Sequence, residues 1–144
     1  MAENSEMEMA ASGSRVLVVD DERAVADSLG AIFRMHGYEA RATYSAEDAL
    51  QIAVGWQPDL AVLDVMLPGM TGIELAVLLK QNHPTCQTLL FSGSARTGPL
   101  LEEAEKDGHS FEILAKPVHP QHLLDMVKTL LAAAVVSRSL KRLN

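Results

Sequence analysis

The chain has 144 residues, 48% of them hydrophobic and only 4% aromatic, which suits one domain with a mainly aliphatic core. Its formal net charge of -7 argues against direct nucleic-acid binding, which calls for a basic face, and suits a bound cation or a partner with basic patches. A single cysteine, Cys86, excludes an internal disulfide and points to a reducing, cytoplasmic setting.

Residues 1–14 carry Glu3, Glu6 and Glu8 without an apolar run, so they read as a flexible acidic tail and not as a signal peptide. No stretch is long and apolar enough for a membrane span. Val16-Leu17-Val18-Val19 is a fully apolar, β-branched run, the pattern of a strand buried on both faces. After Asp20-Asp21 a helical period runs through Val25, Leu29, Ile32, Phe33 and His36, and Gly37 is placed to end it. Tyr38 to Tyr44 is a more polar strand candidate, nearer a sheet edge. Ser45 reads as the N-cap of a second helix, with Glu47 and Asp48 in its first turn and Ala49, Leu50, Ala53 and Val54 on one face. Gly55 and Pro58 break that pattern.

Leu60-Ala61-Val62-Leu63 is the third apolar run and leads to Asp64. Pro68, Gly69 and Gly72 mark a loop. Ile73, Ala76, Val77 and Lys80 then share a helical face that Leu75, Leu78 and Leu79 widen, so this helix should be well covered. Thr88-Leu89-Leu90-Phe91 is the fourth run, followed by Ser92-Gly93-Ser94. Leu100 to Asp107 is a short charged helix candidate ending at Gly108. Phe111 to Ala115 is the fifth run, and Lys116-Pro117 follows it. Leu123, Leu124, Val127, Leu130, Leu131 and Ala134 line one face of a last helix, which reads as core and not as a dimer seam.

Five strand–helix units in alternation predict an α/β domain: an open parallel sheet with right-handed crossovers and helices on both faces. Ligands of such sheets sit outside the carboxyl ends of the strands. Those ends carry Asp20-Asp21, Asp64, Ser92 and Lys116. Converging carboxylates repel and demand a compensating cation. Magnesium suits an all-oxygen donor set that uses one or two carboxylates and keeps several waters. With Lys116 as a second positive charge and Ser92 as a hydroxyl donor, the set suits a dianionic phosphoryl group.

The segments Val18-Val19-Asp20-Asp21-Glu22, Asp64-Val65-Met66-Leu67-Pro68-Gly69-Met70-Thr71-Gly72, Phe91-Ser92-Gly93 and Lys116-Pro117, in this order and each at a strand end, resemble response-regulator receiver domains of two-component systems. The resemblance covers about residues 15–133, leaving residues 134–144 as a helix extension or basic tail. It implies a flavodoxin-like (βα)5 fold with strand order 2-1-3-4-5. It implies that Asp64 accepts a phosphoryl group from a histidine kinase, a histidine phosphotransfer protein or a small phosphodonor. Asp21 and Asp64 would ligate Mg2+ (with Mn2+ as the alternative ion) together with the Met66 backbone carbonyl, and Asp20 would act mainly through a water. Ser92 and Lys116 would clamp phosphoryl oxygens, and the Lys116–Pro117 bond would be cis. The resemblance further implies a phosphoacceptor signalling domain and not a dedicated enzyme, monomeric or weakly dimeric. Its output would run through the face of the fourth helix, fifth strand and fifth helix to a downstream partner.

Two features depart from the commonest receiver. Ile113 stands where the family usually has an aromatic residue that rotates on activation, which touches signal transmission and not phosphoryl chemistry. Residues 137–144 are too few for a DNA-binding module, so the chain is expected to be a stand-alone receiver or a fragment of a longer regulator. A magnesium-dependent aspartyl-phosphate phosphatase would need an aspartate at Met66 as general acid. A degenerate, partner-binding receiver is disfavoured by intact Asp21, Asp64, Ser92 and Lys116. Among the remaining candidates, Asp20 and Asp21 alone would pass for a helix cap. His119 and His122 could share one helical side but lack a third zinc ligand. His36, His83 and His109 fall near helix ends, and Cys86 reads as a buried small residue.

Overall fold

The computed structural model describes residues 13–143, with side chains described through residue 136. Residues 1–12 of the expected acidic tail, and the side chains of the basic C-terminal end, lie outside the described residues. In chain order the elements are β1 (Arg15–Val19), α1 (Arg23–Met35), β2 (Glu39–Thr43), α2 (Ala46–Trp56), β3 (Leu60–Asp64), α3 (Gly72–Asn82), β4 (Gln87–Ser92), α4 (Thr97–Lys106), β5 (Glu112–Ala115) and α5 (Pro120–Leu143). The strands form one parallel sheet in the order β2-β1-β3-β4-β5, the flavodoxin-like arrangement expected from the alternation and the resemblance.

The apolar runs are strands because their neighbours cover both faces. Successive side chains of a strand point to opposite sides, so each run divides between two cores. Leu17, Val19, Ala61, Leu63 and Leu90 pack with Ala49, Ala53 and Trp56 of α2 and with Leu75 and Leu79 of α3. Val16, Val18, Leu60, Val62 and Leu89 pack with Phe33 of α1 and with Leu123, Val127 and Leu131 of α5. β2, the polar candidate, is an edge strand.

Local chemistry sets most helix boundaries. The Ser45 hydroxyl accepts the Asp48 N–H at 3.1 Å and caps α2. Gly37 (φ 92) and Gly108 (φ 86) take left-handed conformations just past α1 and α4. Pro120 opens α5 at the first helical position, where its missing N–H costs nothing.

The expectations for three helices needed adjusting. α2 does not stop at Gly55: it runs through it to Trp56, whose indole is buried, while Val54, assigned to the same face as Ala49, is 70% exposed. The helix ends one residue later, where Gln57 turns left-handed (φ 54) ahead of Pro58, which disfavours a right-handed helical residue before it. Gly72 is not loop but the first residue of α3, capped by the Thr71 hydroxyl accepting from Glu74 N–H at 3.1 Å. The face of α3 that is buried is Gly72, Ile73, Leu75, Ala76 and Leu79, while Lys80 is exposed. α4 begins at Thr97, ahead of the expected Leu100; Pro99 within its first turn is a residue suited to a helix start.

Candidate functional site

The parallel register brings the strand ends level. Val19 of β1 pairs with Leu63, so Asp20 emerges beside Asp64, the last residue of β3. Asp64 pairs with Phe91, and Ser92, one residue on, pairs with Ala115 of β5. Lys116 therefore leaves the sheet at the same end.

The carboxylates converge as the sequence implied. One oxygen from each of Asp20, Asp21 and Asp64 lies within 4.8 Å of the others, the one such acidic or metal-ligating cluster found among the described residues. Asp20 is fully buried and Asp64 nearly so, whereas Asp21 is exposed. The Lys116 ammonium stands 3.5 Å from Asp20 Oδ2 and 3.4 Å from Asp64 Oδ1, bridging the two buried acids. Its Nζ also lies 4.7 Å from the centre of the Phe91 ring, whose face attracts a cation.

One lysine does not satisfy this site. Asp20 Oδ1 accepts the Glu22 N–H at 2.9 Å, but the buried Asp20 Oδ2 has no hydrogen-bond partner. A buried carboxylate oxygen left in that state is costly, and a hard cation held by oxygen donors would satisfy it. Asp64 shows the same excess of negative charge. Burial raises its pKa above the usual carboxylate value and the neighbouring Asp20 raises it further, while the Lys116 ammonium and the Met66 backbone N–H pull it down. The donor set therefore fits magnesium. The helix-cap reading of Asp20 and Asp21 does not hold, since Glu22 occupies the N-cap of α1 without a side-chain cap bond.

The loop after β3 is shaped by Gly72. Its N–H donates to the Val65 carbonyl at 2.7 Å, and a Cβ there would fall on the Asp64 carbonyl oxygen and within 2.8 Å of the Asp64 carbonyl carbon. Only glycine lets α3 start this close to the strand end that carries Asp64. Met66, two residues past Asp64, is half-buried. The Lys116–Pro117 bond is cis.

Ser92 is buried at the end of β4, and its hydroxyl engages Thr97 Oγ1 and accepts the Ser94 N–H at 3.1 Å. Sequence reasoning did not single out Thr97 or the Phe91 ring. Thr97 carried no motif, and Phe91, though part of the Phe91-Ser92-Gly93 segment, gave no sign that its ring would meet Lys116. Ile113, opposite Leu90 in the sheet, is half-buried and packs against the core that holds α2 and α3. His119 accepts the Gln121 N–H through Nδ1 at 3.1 Å, a turn role ahead of α5. Cys86 is buried, and burial pushes its thiol up to about 12, so it stays protonated and unreactive.

A family model described as the response regulator receiver domain matches residues 16–128. Among curated proteins, the phosphate regulon transcriptional regulatory protein PhoB of Pseudomonas aeruginosa is 30% identical over 121 residues, 83% of this chain and 52% of that protein. The chain thus spans about half the length of the curated relatives it matches. Among solved structures, a CheY-like response regulator receiver domain protein from Methanospirillum hungatei aligns at 28% identity with a TM-score of 0.77, covering 88% of this chain and 99% of the other. The response regulator TrrA of Thermotoga maritima, solved in complex with Mg(2+)-BeF, aligns at 26% identity with a TM-score of 0.70, covering 81% and 98%.

Proposed function

The chain belongs to the receiver-domain family of two-component response regulators, and on that premise we propose that Asp64 is its phosphoacceptor, served by Asp20, Asp21, Ser92 and Lys116. The observation that carries this reading is the buried pair Asp20–Asp64 bridged by Lys116, with Asp20 Oδ2 left without a hydrogen bond.

Asp20, Asp21 and Asp64, with the Met66 backbone carbonyl, would hold Mg2+, with Mn2+ as substitute. When bound, the ion neutralises the carboxylates and the charge on the phosphoryl oxygens. The relative solved with Mg(2+)-BeF supports this ion. Lys116, 3.4 Å from Asp64 Oδ1, keeps the acceptor ionised and meets the incoming phosphoryl group as a point charge. Ser92 donates its hydroxyl proton to another phosphoryl oxygen. In the transfer, an Asp64 carboxylate oxygen forms the new P–O bond. The donor's P–N or P–O bond breaks, and its electron pair leaves with the histidine imidazole or the acetate. Met66 offers no general acid where a phosphatase would need one, so water attacks the acyl phosphate slowly and the domain works as a switch.

The receiver unit is taken as residues 15–133. Its phosphodonor is a histidine kinase or a histidine phosphotransfer protein. Its output passes through the face of α4, β5 and α5 to a protein partner, without direct contact to nucleic acid, from a monomer or weak dimer in the cytoplasm. Among the described residues no helix is long and apolar enough to cross a membrane.

The test is intact-protein mass after incubation with acetyl phosphate and Mg2+, beside an Asp64→Asn control. One added phosphoryl group, absent in the control and without Mg2+, is expected. No adduct on folded protein that is also silent to beryllofluoride refutes the assignment.

A further inference from the structure

Ser92 and Lys116 are the two groups assigned to hold phosphoryl oxygens, yet they differ in one respect. A lysine ammonium can only donate, whereas a hydroxyl has one proton and two lone pairs and can point its proton elsewhere. What decides whether Ser92 can serve as a donor is therefore the set of groups around its oxygen.

That set is nearly complete on the protein side. The Ser94 N–H, a donor without alternative, points to Ser92 Oγ at 3.1 Å. Thr97 Oγ1, on the first residue of α4, lies at hydrogen-bond distance from the same oxygen, and both hydroxyls are buried. The loop between them is closed by local bonds: Arg96 N–H to Ser94 Oγ at 3.1 Å and Thr97 N–H to the Ser94 carbonyl at 3.3 Å. Thr97 is thus held against Ser92 by backbone geometry as well as by its side chain. The Thr97 contact leaves two arrangements of one shared proton. If Ser92 donates to Thr97, its proton is spent inside the protein. If Thr97 donates to Ser92, both Ser92 lone pairs are taken and its own O–H is the sole free valence.

We infer that Thr97 is a positioning residue: by donating its hydroxyl proton to Ser92 it commits the Ser92 O–H to the phosphoryl oxygen on Asp64. This deepens the Asp64 reading and rests on it. The arrangement also ties the first turn of α4 to the occupancy of the site. A phosphoryl group selects the arrangement in which Thr97 donates, and this route does not involve Ile113.

The experiment follows adduct formation by intact mass over a range of acetyl phosphate concentrations in Mg2+. The proteins are the unmodified chain, Thr97→Val, Thr97→Ser, Ser92→Ala and the double variant Thr97→Val/Ser92→Ala. Valine keeps the shape of threonine and removes the hydroxyl; serine keeps the hydroxyl. Losing one such hydrogen bond predicts a drop in the maximal phosphorylation rate of about three- to tenfold for Thr97→Val, with KM little changed. Thr97→Ser restores most of that rate. In the Ser92→Ala background Thr97→Val has no further effect, because the oxygen it positions is gone. An equal loss in both backgrounds shows a merely structural role and overturns the inference. So does a Thr97→Val rate equal to that of the unmodified chain, which leaves the Asp64 assignment standing. Absence of any adduct on the unmodified chain overturns the Asp64 assignment and this inference with it.

Discussion

The same chemical change, glycine to alanine, should move stability in opposite directions at two helical positions. Gly55 lies within α2, is exposed, and a Cβ built there meets no atom within 4 Å. Only the backbone term acts, so Gly55→Ala should stabilise the fold by about 0.5–1 kcal/mol. Gly72 opens α3, and the same propensity gain applies on paper. Its Cβ, however, would fall on the Asp64 carbonyl oxygen and lie 2.9 Å from Val65 Cα. These are backbone atoms at the end of a central strand, with no rotamer to yield. Overpacking of this kind costs about 1–3 kcal/mol when side chains can adjust. Here the upper end applies, and after subtracting the helix gain a net loss of about 2 kcal/mol is expected. Urea unfolding followed by circular dichroism measures both, read as shifts of the midpoint at constant slope. Gly72→Ala should also slow phosphorylation, because relief of the clash must shift α3 or Asp64. A Gly72→Ala protein as stable as the unmodified chain would refute the claim that close backbone approach requires this glycine.

Three further outcomes follow from the charge arrangement. Lys116→Met removes the ammonium between two buried carboxylates and should cost about 1–3 kcal/mol at neutral pH in chelator, discounted because Lys116 is 29% exposed; unchanged urea midpoints would contradict the bridge. Mg2+ should raise the stability of the unmodified chain by about 2.7 kcal/mol at a hundredfold excess over its Kd, and Asp21→Ala should lower the affinity read from that titration. Asp64 has a raised pKa in the folded protein, so the folded state binds more protons than the unfolded one between the ordinary carboxylate value and the raised one. Stability in chelator should therefore fall as pH rises through that window. Asp64→Asn should remove this fall and leave the protein more stable at neutral pH; an identical pH profile in the variant would contradict the burial and Asp20 effects.

The site residues were legible because they gather where strands stop. Asp20 and Asp64 end runs of four apolar residues, and an acid at the end of such a run is conspicuous in any reading of the chain. Lys116 and Ser92 gained meaning only from their place in the series. Thr97 had no comparable signal, since nothing in the spacing of Ser92 and Thr97 says that the intervening loop folds back. Val54 was misassigned for a related reason: the helical period admits both faces near Gly55, and which one is inner depends on the neighbouring helix.

By itself the sequence determined the element types, their alternation, the parallel sheet and the end of that sheet where chemistry would gather. These follow from side-chain periodicity and from the residues that begin and end helices, which act over a few positions of the chain. Only the tertiary structure decided that Asp20 Oδ2 is buried without a hydrogen bond, that Lys116 spans both acids over the Phe91 ring and that Gly72 touches the Asp64 backbone. It alone showed that Ser92 is bonded to Thr97. Apart from the Gly72 contact and that last pair, each depends on ångström-scale distances between segments far apart in the chain, set by sheet register and core packing, which local sequence preference does not encode.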